Sequence, residues 1–234
     1  MYDLLASISP IELARRIDHT NLKPSATLPS LEKTCREALE YRFRGCCIPL
    51  WFVKRAARIL GGSGVRVVTV VGFPLGYSSK SAKIAEAKQA FADGADEIDV
   101  VMNVSAFKSG EIEYVRDELA SLVDVAHGHG GLIKVIIETS LLTENEIARA
   151  ARLVEEVGAD YVKTNTGFGP RGVVPSDVVI IKESLRTPRI GIKAAGGIRR
   201  ALDAIILIRL GADIIGTSSG TRLVNELKYL SKET

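Results

Sequence analysis

Eight short runs rich in β-branched residues recur along 234 residues, and each is followed by a stretch with helical spacing of apolar side chains. This alternation constrains the fold more than any other feature, because parallel strands joined by helices either close into a barrel or spread into a doubly wound sheet. The strand-like runs lie at 16–19, 46–49, 66–71, 97–102, 132–138, 160–163, 190–193 and 213–216. Helical periodicity fills 31–41, 53–60, 81–93, 114–126, 144–157, 176–184, 200–210 and 222–230. Eight such units predict an α/β fold, a single (β/α)8 TIM barrel spanning residues 1–234 with a short N-terminal helical extension. The open doubly wound sheet shares the alternation, but no dinucleotide-type glycine fingerprint follows the first strand.

A weak internal repeat supports the barrel. Gly-Ala-Asp precedes three of the strands, at Gly94-Ala95-Asp96, Gly158-Ala159-Asp160 and Gly211-Ala212-Asp213. Each glycine is expected to end a helix in the left-handed conformation before the chain re-enters the barrel. Gly61-Gly62-Ser63-Gly64 and Gly128-His129-Gly130-Gly131 are read as turns leading into the third and fifth strands. Both would lie at the end of the barrel opposite the chemistry, which disqualifies them as phosphate loops despite their glycine content.

In such a barrel, function collects where strands end. Two lysines hold that kind of position, each followed by a small-residue, glycine-bearing loop: Lys163 before Thr164-Asn165-Thr166-Gly167, and Lys193 before Ala194-Ala195-Gly196-Gly197. A lysine closing a buried strand loses hydration, its pKa falls, and it becomes a neutral nucleophile. One lysine of this type is compatible with an ordinary surface position, whereas two in the same context point to amine chemistry. Asp99, inside Ile98-Asp99-Val100-Val101-Met102, faces a barrel interior, where a carboxylate needs a cationic partner. Asp18 after the first strand, Cys47 in the second and Glu138 at the end of the fifth complete the candidates, although an aspartate at a strand exit often only caps a turn. Gly167, Gly196-Gly197 and Gly216-Thr217-Ser218-Ser219-Gly220 follow three adjacent strands and together predict a phosphate cradle.

Composition narrows the function classes. A formal net charge of +3, with no basic run interleaved with aromatics, argues against nucleic acid and is compatible with an anionic substrate. Three cysteines, Cys35, Cys46 and Cys47, suggest neither a disulfide framework nor a zinc cluster and favour a reducing compartment. The N-terminal residues lack the pattern of a signal peptide, and no apolar stretch is long enough to span a bilayer, so a cytoplasmic protein without a membrane role is expected. Of the three histidines, His127 and His129 fall in the turn before the fifth strand, leaving only His19 near the catalytic end; no metal site is expected.

The chain resembles the deoxyribose-phosphate aldolases, class I aldolases with a barrel fold. The likeness rests on Ile17-Asp18-His19-Thr20, Val71-Gly72-Phe73-Pro74-Leu75-Gly76, Asp96-Glu97-Ile98-Asp99-Val100-Val101, Val162-Lys163-Thr164 with Thr166-Gly167-Phe168, Lys193 with Ala195-Gly196-Gly197-Ile198-Arg199, and Gly216 with Ser218-Ser219. It covers nearly the whole chain. The resemblance implies that Lys163 forms a Schiff base with acetaldehyde, that Lys193 lowers its pKa, and that Asp99 joins Lys193 in proton relay through an ordered water. It further implies that Asp18 contacts the substrate hydroxyls, that Cys47 lines the pocket, and that the phosphate rests on Gly167, Gly196, Gly197, Ser218 and Ser219. The partners implied are a small phosphorylated sugar and acetaldehyde, with no cofactor, in a homo-oligomer, dimer or tetramer. The sequence departs from the family pattern at Asn21, Asn165, Ala194 and Pro49-Leu50-Trp51, which bears on pocket shape and substrate breadth. Two other readings are a Schiff-base aldolase or transaldolase acting on a longer sugar phosphate, and a phosphosugar-binding barrel without catalysis; the second gives no reason for two buried lysines.

Overall fold

The computed structural model describes residues 8–230. Its eight strands are β1 (Ile17–Thr20), β2 (Gly45–Cys47), β3 (Arg66–Val71), β4 (Glu97–Val101), β5 (Leu132–Ile136), β6 (Tyr161–Lys163), β7 (Gly191–Ala195) and β8 (Ile214–Thr217). Each pairs in parallel with its sequence neighbours, and β8 pairs with β1, so the expected barrel is closed. The outer layer comprises α1 (Pro10–Ala14), α2 (Leu28–Glu40), α3 (Val53–Leu60), α4 (Lys80–Ala92), α5 (Val104–Lys108), α6 (Ile112–Gly128), α7 (Glu144–Glu156), α8 (Pro175–Ser184), α9 (Ala201–Arg209) and α10 (Gly220–Leu230). The main apolar core lies between strands and helices, where residues such as Ile98, Ile133, Val135, Val162 and Ile192 meet Leu119, Leu122, Ala150, Val154 and Ile205.

Several helices start where side chains satisfy their first amides. Thr143 and Glu146 form a reciprocal capping box at α7, as do Ser9 and Glu12 at α1. Several stop at left-handed glycines, including all three of the repeat: Gly94 at φ +98°, Gly158 at +80° and Gly211 at +117°. The aspartate of each repeat has its own task. Asp96, Asp160 and Asp213 accept the backbone N–H of Val67, Ile133 and Ile192 through a carboxylate oxygen, at 2.7, 2.8 and 2.8 Å. Each aspartate also donates its own N–H to the carbonyl of that same residue. Every repeat therefore pins the entry of one strand to the strand before it.

Strand ends differ from the sequence expectation by at most two residues, and the shifts matter. β7 continues two residues beyond Lys193, because Ala194 and Ala195 pair with Ile215 and Gly216. β5 stops at Ile136, and Glu138 adopts a left-handed conformation, φ +53° and ψ +66°, that no strand permits.

Candidate active site

Four cations and three carboxylates meet inside the barrel. In-register neighbours place Lys134 beside Asp99 and Lys163 beside Lys193. Asp99 lies at the centre: its Oδ2 accepts from Lys163 at 2.7 Å and from Lys193 at 2.7 Å, and its Oδ1 from Lys134 at 2.9 Å. Lys193 also donates to Asp18 Oδ2 at 2.6 Å, and Lys134 to Glu97 Oε2 at 2.5 Å. Arg44, just before β2, donates to Asp18 Oδ1 at 2.9 Å and to both oxygens of Glu97 at 2.7 and 2.9 Å. Two strand glycines make room for this array. A Cβ on Gly45 would lie 2.6 Å from Asp18 Oδ1, and one on Gly216 would lie 3.1 Å from Lys193 Cε.

Burial and pairing divide these groups into two kinds. Burial alone would raise Asp18, yet the Lys193, Arg44 and Lys134 cations overcome it and pull the carboxyl down to about 2. Asp99 is likewise held well below the usual range by its three lysines, against the effect of its burial. Lys193 and Lys134 are desolvated too, but Asp18 and Asp99 for the first, and Asp99 and Glu97 for the second, hold both above the ordinary lysine value. Lys163 alone moves the other way. Burial lowers it, its single carboxylate Asp99 does not compensate, and the neighbouring charge of Lys193 lowers it further.

A cavity of about 470 Å³ opens above this array, and Lys163 is the member of the cluster on its wall. Its rim carries Gly167, Gly196 and Gly197 at φ +88°, +101° and +76°, left-handed conformations that favour glycine and keep this side of the cavity free of side chains. Ser218 and Arg199 complete that side. The β6 loop is fixed from behind. Glu138 Oε2 accepts from the Thr166 amide at 3.0 Å and the Thr166 hydroxyl at 2.5 Å, while its Oε1 accepts from Ser140 Oγ at 2.8 Å. Phe73 stands edge-on to Phe168, centroids 5.4 Å apart, and so joins the turn after β3 to this loop. That turn is seated by Gly72, whose absent Cβ leaves space for Lys83, itself paired with Glu118 at 2.6 Å.

The structure brings Lys163, Lys193, Asp99 and Asp18 into one cluster and Gly167, Gly196, Gly197 and Ser218 onto one rim. Four details differ from the sequence expectation. Lys193 lies in mid-strand rather than at a strand end, and it donates to Asp99 Oδ2 at 2.7 Å. Asp18 sits within β1, not after it, and is fully buried beneath the cavity with both oxygens engaged. Cys47 ends β2 and packs with Val68 and Val70 below the wall, where burial pushes its thiol up to about 11. Ser219 stands one residue beyond the rim, its amide bonded to Thr217 Oγ1 as α10 begins. Sequence reasoning missed Lys134, Glu97, Arg44 and Arg199. A signal existed for the first two: Lys134 interrupts the apolar run Leu132-Ile133-Lys134-Val135-Ile136, and Glu97 is two residues from Asp99, hence on the same strand face.

Among the described residues, no group of three His, Cys, Asp or Glu side chains could hold a metal ion. His19 lies on the cavity wall but is paired with Glu37 at 2.8 Å, while His127, exposed in the last turn of α6 rather than in a turn after it, faces Asp160 at 3.1 Å and His129 follows the helix, also exposed.

Comparison with known proteins agrees with this geometry. The model of the DeoC/LacD family aldolases matches residues 12–225. A deoxyribose-phosphate aldolase of Thermococcus kodakarensis is 47% identical over 215 residues, covering 91% of this chain and 96% of that one. Another, from Caldicellulosiruptor saccharolyticus, is 46% identical over 216 residues, covering 92% and 98%. The solved tetrameric deoxyribose phosphate aldolase of Aeropyrum pernix superposes with a TM-score of 0.90 at 35% identity, covering 97% of this chain and 96% of that one. With its barrel closed, its lysines gathered around one aspartate and these relatives matched along almost their full length, the chain belongs to the DeoC/LacD family of aldolases.

Proposed function

We propose that this protein is a Schiff-base aldolase that reversibly cleaves 2-deoxyribose 5-phosphate to glyceraldehyde 3-phosphate and acetaldehyde, the activity its relatives' names state for them. The observation that carries this reading is the position of Lys163: of the lysines bound to Asp99, it is the one on the cavity wall and the one whose surroundings favour the neutral amine. At an ordinary pKa of about 10.4, only roughly one lysine in 2,500 is neutral at pH 7, so this environment is what makes the amine reactive.

In the cleavage direction, the Lys163 amine adds to the C1 aldehyde of the open-chain sugar, and loss of water leaves an iminium. A base takes the proton of the C3 hydroxyl, the C2–C3 bond breaks, and its electron pair flows into the iminium to give an enamine. Glyceraldehyde 3-phosphate departs, C2 is protonated, and water releases acetaldehyde and the free lysine. Asp99 and Lys193, hydrogen-bonded to each other and to Lys163 or its partner, are the groups proposed to move these protons. Gly167, Gly196, Gly197, Ser218 and Ser219 are proposed to hold the phosphate, with Arg199 as an added cation. Asp18 then acts through Lys193, and Cys47 shapes the wall from below.

The reading needs no cofactor, and its partners are the phosphorylated sugar and acetaldehyde. A homo-oligomer is proposed by analogy with the tetramer of the Aeropyrum pernix protein. None of the helices among the described residues is long and apolar enough to cross a membrane. A cytoplasmic location is proposed on the three free, buried cysteines.

Reduction with borohydride in the presence of acetaldehyde should leave a two-carbon adduct on the peptide carrying Lys163, and the enzyme should release glyceraldehyde 3-phosphate from 2-deoxyribose 5-phosphate. An adduct confined to another lysine defeats the catalytic assignment.

A further inference from the structure

The buried cluster has an odd number of charges. Lys134, Lys163, Lys193 and Arg44 face Asp18, Glu97 and Asp99, so a fully ionised array carries one positive charge more than it can neutralise. An uncompensated charge in a dry interior is costly, and the array is relieved when one lysine gives up its proton. Partner count decides which. Lys193 has Asp18 and Asp99, Lys134 has Glu97 and Asp99, and Arg44 has Asp18 and Glu97, whereas Lys163 has Asp99 alone and shares that oxygen with Lys193.

We propose that Lys134 and Glu97, buried away from the cavity, are positioning residues whose opposite charges set how readily Lys163 becomes the free amine. Lys134 acts by occupying Asp99 Oδ1, which leaves less of that carboxylate for Lys163. Glu97 acts the opposite way: by engaging Lys134 and Arg44 it limits how much of Asp99 and Asp18 those cations consume. Other ionisable groups around Lys163 are Cys47 on β2, Asp18 on β1, Lys193 on β7 and Tyr161 two residues earlier on β6, while His19, Lys23, Lys33, Glu37 and Arg199 line the cavity that Lys163 faces. β3 adds only the exposed Arg66, 3.9 Å from Asp96, and β8 has no ionisable side chain.

This inference rests on the Schiff-base role of Lys163, and the test separates the two. The rate of adduct formation on Lys163, trapped with acetaldehyde and cyanoborohydride, is measured against pH for the native protein, Lys134→Met, Glu97→Gln and the double variant. Lys134→Met balances the array with Lys163 protonated, so the acidic limb should move up by about one pH unit or more. Glu97→Gln leaves a larger positive excess, so the limb should move down. The double variant restores the native excess of one charge, and its limb should lie between the two. A packing role would slow trapping in both single variants without moving their limbs in opposite directions. Native trapping at Lys163 with limbs that stay put, or move the same way, overturns the charge-count proposal alone. An adduct on another lysine in the native protein overturns the catalytic assignment and this proposal together. Should Lys134→Met fail to fold, the Glu97→Gln variant decides alone: a downward shift of its limb supports the charge count, and an unmoved or upward limb overturns it.

Discussion

Glu138 offers a perturbation in which stability and function separate. Its side chain accepts three hydrogen bonds, two from Thr166 and one from Ser140, and its backbone is left-handed at φ +53°. Hydrogen bonds to a charged acceptor contribute about 1.5–3 kcal/mol each and are not additive, so Glu138→Ala should cost about 2–4 kcal/mol. The left-handed backbone costs a residue with a Cβ roughly 1–2 kcal/mol that glycine does not incur. Glu138→Gly loses the same three bonds but relieves that strain, and it should be more stable than Glu138→Ala by about 1 kcal/mol. Function should not follow stability. Thr166 and Gly167 line the cavity, and the Phe168 amide donates to the Thr166 hydroxyl that Glu138 holds, so both variants loosen the same loop. Both should raise KM for 2-deoxyribose 5-phosphate more than for unphosphorylated deoxyribose. Urea denaturation at pH 7 gives the first comparison and steady-state kinetics with the two substrates the second. Equal stability of the two variants, or equal kinetic losses for the two sugars, would refute the view that Glu138 trades backbone strain for control of the phosphate loop.

Replacing Ser218 by Asp places a negative charge on the rim, and KM for the phosphorylated substrate should rise at least tenfold while the unphosphorylated sugar is little affected; parallel losses count against a phosphate site there. Asp18, lowered from 3.8 to about 2, contributes stability that is present above the unfolded value and lost as pH falls through the folded one, on the order of 2 kcal/mol. Asp18→Asn lacks that contribution, so its urea midpoint should fall less steeply than the native one between pH 4 and 2, and identical slopes would contradict the assignment. Because the histidines are dispersed, activity should survive prolonged chelation, and loss with EDTA reversed by zinc would reject a metal-independent reaction.

The barrel was legible because eight β-branched runs and left-handed glycines recur at regular intervals, and local chemistry of that kind does not depend on tertiary contacts. The ends of β7 were not legible, since alanine has little strand preference and Ala194 and Ala195 extend the strand only because β8 is there to pair with them. Lys163 and Lys193 stood out by the loops that follow them. Lys134 was passed over for the opposite reason: in mid-strand it has no adjacent loop, and its importance comes from carboxylates 35 and 37 residues earlier that reach it only through strand register. Asp18 reads as a strand-exit residue, whereas it lies buried within β1. Nothing local to Asp18-His19-Thr20 says that Gly45 on the next strand leaves the space into which the carboxylate fits.

The aspartates of the Gly-Ala-Asp repeat join β3 to β4, β5 to β6 and β7 to β8. The reactive groups, by contrast, meet across the seams those aspartates leave open. Asp99 and Lys134 face each other from β4 to β5, Lys163 and Lys193 from β6 to β7, and Asp18 joins from β1, whose neighbour is β8. The surroundings that lower Lys163 therefore depend on the closed ring, because Asp99 and Lys193 reach it from β4 and β7, neither of which the repeat aspartates pin to β6.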